Sequence, residues 1–182
     1  MSTLEIEQRL VVAARIAVIT VFCNRCAVQT SDLVNAPTNN DVTLQELFGG
    51  QENIKGNPFD ITKPVLREVL DTGLFSAHGS SRMGWAHRTY AEFLAAWYIK
   101  HHNLKLSQIL SLIYHPDGKV IPQLQETTAW LASMRDDVFE KVMETDPHVL
   151  LQSELAKIDQ TTKASLVDSL LKLHDQQKLA YQ

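Results

Sequence analysis

This sequence has little of what ties a chain to an oxidising compartment, a metal or a polyanion. Two cysteines in 182 residues cannot make a disulfide framework. They stand as Cys23-x-x-Cys26, and no second cysteine pair or histidine pair at i, i+4 spacing completes the four ligands of a structural zinc site. His101 and His102 are adjacent, so on a helix they diverge by about 100°. The expectation is no metal, with both thiols buried on a helix as small hydrophobes. Positive charge is not in surplus either. The net charge is −4, which gives no general attraction to nucleic acid. No segment reads as a cleavable signal peptide, so a cytoplasmic, reducing location is expected.

Long apolar runs are also missing. The longest, residues 10–23, is interrupted by Arg15 and Thr20 and falls short of the ~20 residues a membrane span needs. It reads as a helix buried on most sides. A first helix this apolar is expected to pack against a neighbouring domain, which hints at further sequence upstream. A phosphate-binding loop is absent as well. The Gly118-Lys119 pair is followed by Val120 and preceded by no glycine loop. Nothing here cradles ATP phosphates, and no acidic pair after a strand holds magnesium. By itself the chain is expected to be no enzyme.

What is present is mostly helical periodicity, with 45% hydrophobic and 21% charged residues, enough for one domain or two small ones. Residues 4–24 read as the first helix. Asn35 to Asp41 is turn chemistry. A short helical piece at 44–48 closes at Gly49-Gly50, and 56–58 reads as a loop. Thr62 can cap a helix over 62–70 with Pro64 in its first turn. Val65, Leu66, Val69 and Leu70 form its buried face, and Gly73 suits a left-handed stop. Two short apolar runs flank a polar stretch, Ser76 to Arg82, and predict one β-hairpin over 74–86. After His101-His102 come short helices: 106–114, a turn through Gly118, 122–134, one marked by Val138, Phe139, Val142 and Met143, and others from Pro147 towards residue 173. The polar end of the chain, 175–182, is expected to fray.

Residues 85–99 carry the densest pattern. Thr89-x-x-Glu92 reads as a capping box opening a helix over 90–101. Tyr90, Phe93, Leu94, Trp97 and Tyr98 follow at helical spacing, an aromatic stripe best read as core. His87 falls two residues before that cap, beside the positive end of the helix, where an anion is favoured.

The run Trp85, His87, Thr89, Tyr90, Glu92, Phe93, Leu94, Ala95, Ala96 resembles the end of the winged-helix domain in NACHT-type NTPases. These belong to the signal-transducing ATPases with numerous domains, which include NOD-like receptors and many bacterial defence proteins. The resemblance is strongest over 62–99, extends over 4–99 and thins beyond. It implies a mostly α fold: a winged-helix domain with an N-terminal buried helix over 1–101, the hairpin as its wing, then a helical region over 102–182, solenoid-like or a small bundle. It implies that His87 reaches the β-phosphate of ADP and senses the nucleotide state. It implies ATP or ADP with magnesium as cofactor of a full-length protein. The partner would be the nucleotide-binding domain of that same protein, with a homo-oligomer on activation.

Two other readings fit the same residues. One is an independent DNA-binding winged helix using Lys63, Arg67, Arg82 and Arg88, though Glu68 and Asp71 interrupt them and four dispersed cations make no dense patch. The other is a non-catalytic helical scaffold that serves protein contacts.

Overall fold

The first helix, α1 (Ile6–Phe22), is apolar through its middle and buried to match: Val11, Val12, Ala13, Ala14, Ile16 and Ala17 are almost wholly covered. The backbone N–H of Glu5 donates to Gln8 Oε1 at 2.9 Å and closes its first turn. The computed structural model describes residues 4–31 and 40–152. The turn expected at 35–41 lies mostly outside them, as do the helices and the fraying tail expected beyond residue 152.

Two three-residue strands follow, β1 (Ala27–Gln29) and β2 (Asp41–Thr43), paired in parallel. Next comes α2 (Leu44–Leu47) and a two-stranded hairpin, β3 (Gln51–Ile54) and β4 (Asn57–Asp60). Its turn residues, Lys55 and Gly56, both have positive φ, 50° and 88°, as a tight type I′ turn requires. Then come α3 (Lys63–Leu70) and the hairpin β5 (Phe75–Ala77) with β6 (Arg82–Trp85). β6 also pairs antiparallel with β1, so the main sheet has the order β2-β1-β6-β5.

The expected hairpin at 74–86 is therefore there, but it is not the only β-structure. Among the described residues four strands form one sheet and two form another, more β-structure than the single hairpin of a winged helix. The missed strands are three or four residues long, too short for a period of two to register. Residues 51–60 are largely polar and contain Pro58, which a two-stranded ribbon tolerates because each strand has a free edge.

Among the described residues the longest later helix is α4 (Arg88–His101). It packs principally on α1 and on α6. α1 and α4 both bury alanines at their contact faces, Ala13, Ala14 and Ala17 on one and Ala91, Ala95 and Ala96 on the other, which lets the two backbones lie close. The remainder is helical: α5 (Leu106–Ile113), a 3₁₀ turn (Pro122–Leu124), α6 (Gln125–Met134), α7 (Asp136–Thr145) and α8 (His148–Gln152). One hydrophobic cluster runs from α1 through the sheet and α4 to α6, α7 and Val149. Phe93 and Trp130 meet edge to face within it, ring centroids 5.1 Å apart. Among the described residues no helix is long and apolar enough to cross a membrane.

Three local expectations are corrected. The helix after the β5–β6 hairpin starts one residue before Thr89, with His87 itself as the N-cap (φ −141°, ψ 132°). The reason is Arg88: its Nε donates to Glu92 Oε1 at 2.7 Å, so Glu92 closes an i, i+4 ion pair instead of reaching back to Thr89. A reciprocal Thr-x-x-Glu box does exist, at Thr43 and Glu46. Gly73 is not left-handed. α3 ends instead at Leu70 with Asp71 as its C-cap, and the Thr72 hydroxyl just beyond donates to Val69 O at 2.7 Å.

Candidate functional site

His87 is exposed at the N-terminus of a fourteen-residue helix. β6 delivers it: Trp85 ends the strand, and Ala86 N–H donates to Leu74 O at 2.9 Å, which fixes the exit from the hairpin. The extended backbone at His87 turns directly into α4, and its carbonyl accepts from Tyr90 N–H at 3.1 Å. The imidazole stands edge-on to the Tyr90 ring, centroids 5.1 Å apart at 82°. Among the described residues, neither ring nitrogen has a hydrogen-bond partner. An oriented imidazole with open nitrogens, beside first-turn N–H groups, is chemically suited to donate to an oxyanion. The residues around it fit one contact to a phosphate and not a whole nucleotide site.

The aromatic stripe divides. Phe93 and Leu94 are core, while Tyr90, Trp97 and Tyr98 are half-buried. Tyr98 belongs to a polar cluster that sequence reasoning missed. Glu52, on β3, is 2% exposed. Its Oε1 accepts from Arg15 Nη1 at 2.9 Å and from the Tyr98 hydroxyl at 2.7 Å, and its Oε2 accepts from His102 Nε2 at 3.0 Å. Arg15 also donates to Leu47 O at 3.3 Å and to Gly49 O at 2.9 Å. His101 stacks on Trp97 and donates to Asn53 O at 3.1 Å. The cluster ties α1, the β3–β4 hairpin and the end of α4 together. Burial, then the bond to Glu52, pushes the Tyr98 phenol well above its ordinary range. The one signal in the sequence was Arg15, a charge inside an apolar helix that had to find a buried partner.

Cys23 and Cys26 correct a further expectation. Both are exposed free thiols, not buried hydrophobes. α1 ends at Cys23, Asn24 takes a positive φ of 51°, and Cys26 N–H donates to Asn40 O at 2.8 Å, so the pair sits on the turn into β1. Among the described residues no three His, Cys, Asp or Glu side chains gather as metal ligands would.

The cations weighed for DNA are partly spent within the fold. Arg82 grips Asp41 with two bonds, Nε to Oδ2 at 2.7 Å and Nη2 to Oδ1 at 2.8 Å, and Arg88 is paired with Glu92. Compared with protein-family models, with curated proteins and with solved structures, the chain matches none of them.

Proposed function

We propose that this chain is the winged helix and following helical region of a NACHT-type signalling ATPase, in which His87 donates to a phosphate of ADP bound on the nucleotide-binding domain of the same protein. The observation that carries the reading is His87 itself: exposed, N-capping α4, and without a hydrogen-bond partner among the described residues. A second support is chain order. The chain runs α1, β1, β2, α2, the β3–β4 hairpin, α3 and the β5–β6 hairpin, with β6 between β1 and β5 in the main sheet. Helix, helix, hairpin is the order a winged helix has. The added strand β2 and the inserted β3–β4 hairpin are departures from a bare winged helix.

Bound ADP would supply the oxyanion, and this chain would supply the donor and the surface that docks. Where ADP leaves, the donor loses its acceptor, so the nucleotide selects between docked and released arrangements of the winged helix. α4 runs from that contact straight into the packing with α6, a rigid path from the nucleotide to the helical region.

The scaffold reading also has an observation in its favour. Phe139 and Met143, one turn apart on α7, are 45% and 48% exposed, an apolar pair suited to another protein surface. The gene separates the readings. The expected result is a reading frame that continues upstream into a Gly-x-x-x-x-Gly-Lys-Ser/Thr loop. A stop codon immediately upstream of a genuine start would overturn the NACHT reading and leave the scaffold.

A further inference from the structure

The end of α1, the β5–β6 hairpin and the start of α4 leave a cleft of 290 Å³ between them, close to the lower bound of small-molecule sites. His87 does not line it. Arg25, Arg88 and His78 do, with Asn24 beside them and Glu92 as the one lining carboxylate. Glu46, outside the lining, lies within electrostatic reach of Arg25. Arg88 is paired with Glu92 and Arg25 lies near Glu46, so what the lining offers an anion is guanidinium and imidazole N–H donors rather than surplus positive charge.

The walls are held in place. The Trp85 indole N–H donates to Thr20 Oγ1 at 3.0 Å, and that hydroxyl donates in turn to Ile16 O at 2.9 Å. Trp85 is backed by Phe75, ring centroids 4.3 Å apart. Arg88 spans between elements, with Nε on Glu92 and Nη2 donating to Gln123 O at 3.3 Å. His78 owes its position to a missing side chain. Its ring lies over Gly84 of β6, where a Cβ would come within 2.8 Å of it. Any larger residue at that position would push the imidazole away.

We propose that this cleft binds a small ligand carrying a carboxylate or a phosphate, held by Arg25 and Arg88 with His78 at its rim. A guanidinium offers paired donors in a plane that matches either oxyanion. The site is independent of the nucleotide reading, since it uses neither His87 nor a second domain.

The test is a titration of the 182-residue chain, followed by amide and arginine side-chain NMR shifts, with inorganic pyrophosphate in one arm and succinate in the other. Each arm is matched in ionic strength with chloride. The expected result is saturation by at least one probe, with the shifts centred on Asn24, Arg25 and Arg88; the arm that saturates names the oxyanion. Arg25→Gln and Arg88→Gln should each weaken binding about 10-fold or more, and Gly84→Ala should weaken it by displacing His78. Lys100→Gln removes a cation outside the cleft and should leave binding unchanged. Where an arginine variant loses its folded spectrum, His78→Ala carries the test, because that side chain is exposed. Failure of both probes to saturate, or saturation indifferent to these substitutions, would overturn the site.

Discussion

Replacing Glu52 by alanine leaves the Arg15 guanidinium facing Leu47 and Gly49 carbonyls with no counter-charge. Breaking a buried ion pair from one side costs about 3–5 kcal/mol, so Glu52→Ala should lower the denaturant midpoint strongly. Glu52→Gln, which keeps the shape, should cost less. Tyr98 gives a pH-dependent counterpart. Its folded pKa is raised above the ordinary 10.0, so its contribution is full below that value and is lost as pH rises through the folded one. In an ultraviolet titration, one of the four tyrosines should resist ionisation above pH 10.0 until the chain unfolds, and Tyr98→Phe should abolish that late step. At this scale little of the cluster was legible. Arg15 announced the need for a partner, but Glu52, Tyr98 and His102 lie 37 to 87 residues further along the chain, and no local spacing joins them.

Helices were legible at the scale of elements because their apolar periods run for several turns, as in α3 and α7, where Leu66, Val69 and Leu70 or Val138 and Val142 turn inward. Strands β1 to β4 were not, since three or four residues are too few for a period of two to register. Caps fell between the two. The same Thr-x-x-Glu spacing occurs at Thr43 and Thr89, but at the second His87 is the N-cap and Glu92 pairs with Arg88. A pair of substitutions checks this. Thr43→Ala should cost about 0.5–2 kcal/mol as a lost N-cap, whereas Thr89→Ala, exposed in the first turn of α4, should stay within about 0.5 kcal/mol of the parent. Glu46 adds a sign. The Thr43 backbone N–H holds its carboxyl below the ordinary 4.5, so the stabilisation by this cap is present above that value and is lost as pH falls through the lowered one. Acid titration of Thr43→Ala should show a shallower loss than that of the parent.

For the whole molecule, the continuous core joins the hairpin-bearing half to the later helices through α4, and Phe93 on Trp130 is the centre of that joint. Phe93→Ala should destabilise by about 3–5 kcal/mol, and near-ultraviolet circular dichroism of Trp130 should weaken with it. On the proposed reading the nucleotide sits on another domain, so purified chain should release no phosphate from ATP; magnesium-dependent turnover above a mock preparation would contradict that reading. The central claim concerns His87, and ADP dissociation tests it most directly. In a protein where an ATPase core precedes this chain, release of bound ADP is followed for the parent and for His87→Ala. A hydrogen bond to a charged group contributes about 1.5–3 kcal/mol, so His87→Ala should weaken ADP binding by about 10–150-fold, with the chain still folded. ADP dissociation identical in the two proteins would contradict it.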